Sequence, residues 1–324
     1  MKLRHILPVI FLLFCSIVFS QNQEVKITST QLSDNVYMLR GSGGNIGIST
    51  GSDGVFIIDD QFAKLTPKII AAIKTISSEP LAILINTHHH GDHTGGNVNM
   101  AKKGVSIIAH ENVRRRLENL NNPLEALPVI TFNDRLNIFI NGEKVSIYHV
   151  KNAHTDGDAI LYFSQSNVLH AGDTYFQNRY PFIDLNSGGS IDGYINAVKK
   201  ALSIINDDTK IIPGHGSISN KSEYLNFLTM LETLKNNVQN EIDEGKSENE
   251  IANNSEITKK YDDLNYSWGF ITSEKITSAF FTASSRDFAT SPSYSLPHLA
   301  AFSEERLKTQ TLKRLDFDKW PAIG

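Results

Sequence analysis

Cysteine is all but missing from this 324-residue chain: the only one, Cys15, lies in the first twenty residues. Disulfides therefore cannot hold the fold together. A thiol cannot be the nucleophile, and any metal must be gripped by nitrogen and oxygen. An excess of basic charge is missing too. Lys and Arg number 31 against 35 acidic side chains, a net of −4, and no basic run stands out beyond Arg114-Arg115-Arg116. That balance argues against a nucleic-acid partner, which normally meets a basic face. The longest apolar run, Ile6 to Phe19, is broken by Pro8 and Ser16 and is shorter than the roughly 20 residues of a spanning helix. With Lys2 and Arg4 before it, and Val18 and Ser20 just ahead of Gln21, it reads as a cleavable secretory signal over residues 1–20. The bulky Phe14 before Cys15 disfavours lipidation. The expectation is an exported protein, periplasmic or extracellular, with no stable membrane anchor once the signal is gone. Loss of Lys2 and Arg4 takes the basic side chains to 29 against 35 acidic ones, a net of −6. Two enzyme signatures are also absent. There is no Gly-x-Ser-x-Gly elbow, and Gly188-Gly189-Ser190 lacks the lysine of a phosphate loop and reads as a helix cap at Ser190.

What is present is an ordinary globular composition, 40% hydrophobic and 20% charged. Residues 24–60 alternate short β-rich runs (36–39, 45–48, 55–58) with glycine-rich separators, the pattern of an antiparallel meander. Ile69, Ile70, Ile73 and Ile76 predict a helix over 66–77. Strands are expected at 81–85, 105–109, 136–140, 144–150, 159–164, 167–171 and 210–212, and helices at 110–119, 190–205 and 221–243. Strands and helices fall into two mixed sets. The expected class is α/β, a four-layered αββα sandwich of two mixed sheets flanked by helices. The expected division is a signal over 1–20, a domain over 24–245 and a helical extension and tail over 246–324. Within that extension, 244–264 reads as a solvated linker or frayed helices and 265–285 as a closing helix.

The chemistry concentrates in Thr87-His88-His89-His90-Gly91-Asp92-His93. In an extended segment, residues two apart point the same way, so His88 and His90 converge while His89 faces elsewhere. The turn at Gly91 swings Asp92 and His93 toward a second point. Four ligands in two clusters exceed what one tetrahedral zinc needs from so short a segment. Further candidates sit beside small residues after apolar runs: His154 in Ala153-His154-Thr155, Asp173 in Ala171-Gly172-Asp173-Thr174, and His215 in Pro213-Gly214-His215-Gly216. Clustering unpaired imidazoles and carboxylates without a metal would be costly. His110, His149 and His170 read as structural.

These five segments, in this order over roughly residues 30–220, resemble the metallo-β-lactamase superfamily. The resemblance implies two zinc ions. It places one on His88, His90 and His154 and the other on Asp92, His93 and His215, with Asp173 between them. It implies metal-assisted hydrolysis in which hydroxide held between the ions attacks a carbonyl, Asp92 orienting that nucleophile. β-Lactamases with a cysteine ligand carry a lysine three residues further on. Here Asp173 replaces the cysteine and Phe176 the lysine, a pattern more like the thioesterases and lactonases of the superfamily. The expected substrate is a small molecule with an ester, thioester or lactone bond. A β-lactam is the alternative within the same chemistry. A di-iron redox protein and a non-catalytic binding module are the alternatives outside it, and phosphodiester cleavage is disfavoured by the lack of basic surface. Phe62, Phe176 and Arg179 are candidates for substrate contact.

Overall fold

Val55-Phe56-Ile57-Ile58 is wholly apolar because both of its faces are covered. Val55 and Ile57 belong to one buried cluster, Phe56 and Ile58 to another on the opposite side, as the twofold alternation of a strand requires. The structure is a computed structural model and describes residues 24–290. The proposed signal and most of the tail lie outside that range.

The strand over 55–58 is the fourth of a seven-stranded sheet, ordered β1 (Thr28–Gln31), β2 (Val36–Arg40), β3 (Ile46–Ser49), β4 (Val55–Ile58), β5 (Leu81–Asn86), β6 (Ser106–His110) and β7 (Ile130–Phe132). It runs antiparallel from β1 to β4 and parallel from β4 to β7. Helices α1 (Thr66–Lys74), α2 (Gly91–Thr94), α3 (Asn97–Ala101) and α4 (Glu111–Asn119) interrupt it. The second sheet contains β8 (Arg135–Ile140), β9 (Glu143–His149), β10 (Ala159–Phe163), β11 (Val168–Phe176), β12 (Lys210–His215) and β13 (Ser219–Asn220), with β12 and β13 beyond β11 and β8 at the far edge. Only β11 and β12 pair in parallel, joined through α5 (Ile191–Ile204). Then follow α6 (Lys221–Asp243), α7 (Glu248–Ala252), α8 (Lys259–Asp262) and α9 (Ser273–Thr290).

Val36, Met38, Phe56, Ile58 and Ile85 of the first sheet meet Val145, Ile147, Leu161, Val168 and Ile212 of the second. Outside the first sheet, Ile69 and Ile73 of α1 cover Ile46, Ile48 and Ile57. Outside the second, α5, α6 and α9 cover Leu169, Ala171 and Ile211. The structure is therefore the expected four-layered α/β sandwich. Ser190 caps α5 as anticipated, accepting from Gly193 N at 3.0 Å. No helix among the described residues is long and apolar enough to cross a membrane.

The C-terminal third departs from the sequence reading. Residues 244–264 are not a solvated linker: Ile251, Ile257 and Tyr261 are buried in the same cluster as α5 and α6. Residues 265–272 are not helical. They form an extended turn in which Trp268 and Ile271 exchange backbone hydrogen bonds of 3.0 and 2.8 Å, and α9 starts only at Ser273.

Candidate metal centre

The strands deliver all seven candidate ligands to one edge of the sandwich. β5 ends at Asn86 and feeds the segment His88–His93, the last three of whose residues open the short α2. His154 lies in the β9–β10 connection, and His215 is the last residue of β12. Asp173 differs from expectation, since β11 continues through it to Phe176. Gly172 makes this workable. Its φ of +52° is left-handed, a region open to glycine, and the pairing of β11 with β12 shifts register on both sides of it. Gly214 opposite is equally constrained, because a Cβ there would fall 2.0 Å from Asp173 Oδ1.

The ligand atoms form two groups, each within 4.8 Å: His88, His90, His154 and Asp173 in one, Asp92, His93 and His215 in the other. His154 Nε2 lies 2.9 Å from His90 Nδ1. Asp173 stands between the groups, 3.6 Å from His154 Nε2 and 3.8 Å from His88 Nε2 on one side, 3.1 Å from His93 Nε2 and 3.5 Å from His215 Nε2 on the other. Asp92 Oδ2 is 3.3 Å from His215 Nε2 and 3.6 Å from His93 Nε2. Ligands bonded to one tetrahedral ion at about 2.05 Å sit roughly 3.3 Å apart, so these separations suit ions of that size. His88 Nε2, His93 Nε2 and Asp173 Oδ1 are buried and make no hydrogen bond, a condition that proteins avoid unless something else satisfies the atoms. The donor set fits two divalent ions.

For His88, His90, His93 and His154 the ring nitrogen facing away from the centre is tied down. His93 Nδ1 donates to Asp59 Oδ2 at 2.7 Å, and Asp59 also accepts from Thr87 N at 2.7 Å and Thr87 Oγ1 at 2.8 Å. His88 Nδ1 rests on that same Thr87 hydroxyl at 3.1 Å. His90 Nε2 meets Asp184 Oδ2 at 3.0 Å, and His154 Nδ1 donates to the Phe182 carbonyl at 2.7 Å. Each bond fixes a tautomer and leaves the inward nitrogen's lone pair free for a metal. Asp59, Thr87 and Asp184 were not read from the sequence. For Asp59 a signal existed: an acidic pair, Asp59-Asp60, directly ends the apolar β4. Asp184 carried none.

Electrostatics divide the centre. Burial, then the neighbouring His93, hold His88 well below the usual imidazole range. Burial and His90 bring His154 down to about 4. For His93 and His215 burial also opposes the charge, but Asp173 and Asp92 outweigh it, raising His93 and taking His215 up to about 9. Against their own burial, His93 and His215 keep Asp173 well below the usual carboxylate range and bring Asp92 to about 2.

The sequence profile of the metallo-beta-lactamase superfamily matches residues 30–215, which contain all seven of these side chains. The chain belongs to that superfamily. Among curated proteins, a type 2 metallo-beta-lactamase of Bacillus sp. (strain 170) is 23% identical over 228 residues, 65% of this chain and 84% of that enzyme. A hydroxyacylglutathione hydrolase of Polaromonas sp. is 27% identical over 144 residues, 44% of this chain and 51% of that enzyme. Among solved structures, a metallo-beta-lactamase from Pontibacter korlensis superposes with a TM-score of 0.57 at 18% identity, over 64% of this chain and 99% of its own. A sec-alkylsulfatase from Pseudomonas sp. superposes with 0.63 at 16% identity, over 79% of this chain and half of its own. At these identities the superpositions speak for the fold. The chain is a metal-dependent hydrolase of the metallo-β-lactamase superfamily.

Of the remaining candidates, Phe176 and Arg179 both lie against Trp268, and Phe62 belongs to another cluster. Phe176 is 1% exposed and stacks on the His215 ring at 5.1 Å; it backs a ligand and does not face the cleft. Phe62 is half-buried against the cluster under α1. Arg179 is half-buried, its guanidinium 5.6 Å from the Trp268 ring centre. His89 is buried, near Ser187 Oγ at 3.4 Å. His110 caps α4 and stacks on His149 at 3.8 Å, and His170 lies near the Asn45 carbonyl at 3.2 Å.

Proposed function

We propose that the chain is an exported dinuclear zinc hydrolase that cleaves an ester, thioester or lactone. The observation that carries the reading is the pair of ligand groups sharing Asp173, with three buried atoms left without hydrogen bonds. His88, His90 and His154 would hold one ion, Asp92, His93 and His215 the other, with Asp173 serving both. Bound there, the ions would polarise the scissile carbonyl and make water a competent nucleophile near neutral pH. The chain's own residues do the rest. Asp92, ionised beside His93 and His215, would accept a hydrogen bond from the attacking water and orient it. Asp59, Thr87 and Asp184 would keep the imidazoles aimed through the reaction. Phe176 stands where a substrate-binding lysine would be expected in the cysteine-ligated β-lactamases, which favours the ester-type substrate. Hydrolysis of a β-lactam amide is the second reading, supported by the type 2 metallo-beta-lactamases among the relatives.

The test is metal analysis of the purified mature protein together with turnover of aryl esters, thioesters, lactones and nitrocefin. The expected result is two zinc ions per chain, ester-type turnover above nitrocefin turnover, loss on chelation and recovery with zinc. Undiminished activity after chelation would sink the reading, and iron in place of zinc would move it to redox chemistry. A mature N-terminus at Gln21 would establish export.

A further inference from the structure

Four of the five imidazoles assigned to the metal centre are aimed by a hydrogen bond at the outer ring nitrogen. His215 is the exception. Its ring reaches Asp92 and Asp173 through Nε2, and among the described residues Nδ1 makes no hydrogen bond. Stacking on Phe176 at 5.1 Å and 12° sets the plane of the ring, but offset stacking tolerates sliding. The backbone is loose by composition, since Gly214 and Gly216 flank this ligand and glycine restricts a chain least. Something else must hold His215 in place.

The carbonyls of 213–216 all accept hydrogen bonds, and three of the four bonds come from Asn45. Its Nδ2 donates to Pro213 O at 2.8 Å and to Gly216 O at 3.1 Å, and its backbone N donates to Gly214 O at 2.7 Å. Gln177 N supplies the fourth, to His215 O at 3.0 Å. Buried carbonyls are ordinarily paired. Here one residue of the opposite sheet pairs three of them, for Asn45 directly precedes β3 while the turn ends β12. Asn45 is 3% exposed, and a side-chain amide nitrogen carries the two protons that two carbonyls require. Asn45 is held in turn. Gly172 N donates to His170 Nδ1 at 3.2 Å, which leaves that ring's proton on Nε2, and Nε2 donates to Asn45 O at 3.2 Å. A chain of bonds thus runs from Gly172, beside Asp173, through His170 and Asn45 to both sides of His215.

We propose that Asn45 is a positioning residue of the metal centre, placing His215 through its backbone as Asp59 and Asp184 place His93 and His90 through the ring. Asn45 acts without touching metal or substrate. It sets how well the Asp92-His93-His215 position is formed before an ion arrives, and so sets the affinity of that position alone. The inference rests on the reading of the site as a two-ion centre and is indifferent to which bond is cleaved.

Competition between the full chain and a chromophoric chelator for zinc reads both affinities without turnover, with His215→Ala marking which constant belongs to the Asp92-His93-His215 position. Asn45→Ala should weaken that position about tenfold, the low end for an outer partner of a metal ligand, and leave the three-histidine position unchanged. Asn45→Ser, which keeps a single side-chain donor, should lose less. Val145→Ala controls for stability, since it lies in the core between the sheets at the end of β9 away from His154. It should lower the melting temperature and leave both constants alone. Should Asn45→Ala fail to fold, the serine variant must still show the selective loss. Unchanged zinc affinity in the Asn45 variants, or equal weakening at both positions, overturns the proposal while the two-ion centre stands. A wild type that holds fewer than two zinc ions overturns the centre itself, and the proposal with it.

Discussion

His88, His90 and His154 offer only ring nitrogens, whereas Asp92, His93 and His215 include a carboxylate and lean on a second, Asp173. Burial dominates on the first side and keeps His88 and His154 neutral near physiological pH. On the second side the carboxylates overcome burial and charge the imidazoles. Two neighbouring groups with overlapping residue types thus reach opposite protonation states, because Asp173 stands against both while Asp92 adds a second carboxylate to one alone. Before any metal arrives, the first group is ready to coordinate and the second must shed protons.

Asp173 joins the two sides, so its loss should do the most damage. Asp173→Asn keeps the shape and removes the charge. Hydrolysis should fall on the order of 1000-fold, the scale of deleting a charge-stabilising group in an active site, and metal content should drop below two ions per chain. Normal metal content with near-normal turnover would leave the two groups independent and break the comparison.

The supporting carboxylates should separate the sides more finely. Asp59 holds His93 and Asp184 holds His90. Outer partners of this kind are worth about 10- to 100-fold in metal affinity. Asp59→Asn should weaken the Asp92-His93-His215 position, Asp184→Asn the three-histidine position. Stepwise cobalt titration, read in the visible spectrum, distinguishes them. Asp59 is fully buried with three hydrogen bonds and its side chain wholly inaccessible, while Asp184 keeps an 11% exposed side chain, so Asp59→Asn should also lower the melting temperature more.

What the sequence disclosed follows from how local each signal is. His88, His90, Asp92 and His93 are legible because strand alternation and one glycine turn fix their directions within six residues. Asp173 and His215 are legible by their small neighbours, though not that β11 runs on through Asp173, since strand length there depends on pairing with β12. The supports are not legible. His93 finds Asp59 across 34 residues and His90 finds Asp184 across 94, and nothing local links them. Tyr266, Trp268 and Phe270 show the opposite failure. Their spacing of two is an extended-chain signal, overridden when 265–285 is taken as one closing helix. In 251–261 the buried Ile251, Ile257 and Tyr261 are too sparse among polar residues to show a face.

The smallest expected effect concerns protons. In the metal-free protein burial disfavours the His215 cation, but Asp173 and Asp92 carry the ring up to about 9 from 6.5. A raised imidazole contributes stability that is fully present below the unfolded value and lost as pH climbs through the folded one. The chelated protein should therefore melt progressively lower between pH 6.5 and 9. Metal capture must displace the same proton, so affinity at the Asp92-His93-His215 position should rise about tenfold per pH unit over that range for each proton released. His88 and His154, already neutral, impose no such slope at the other position. Competition with a chromophoric chelator at pH 6.5, 7.5 and 8.5, with proton release counted calorimetrically in two buffers, reads both slopes. Two equal slopes would mean that Asp173 spreads its charge evenly over the centre, and the electrostatic division between the sides would be lost.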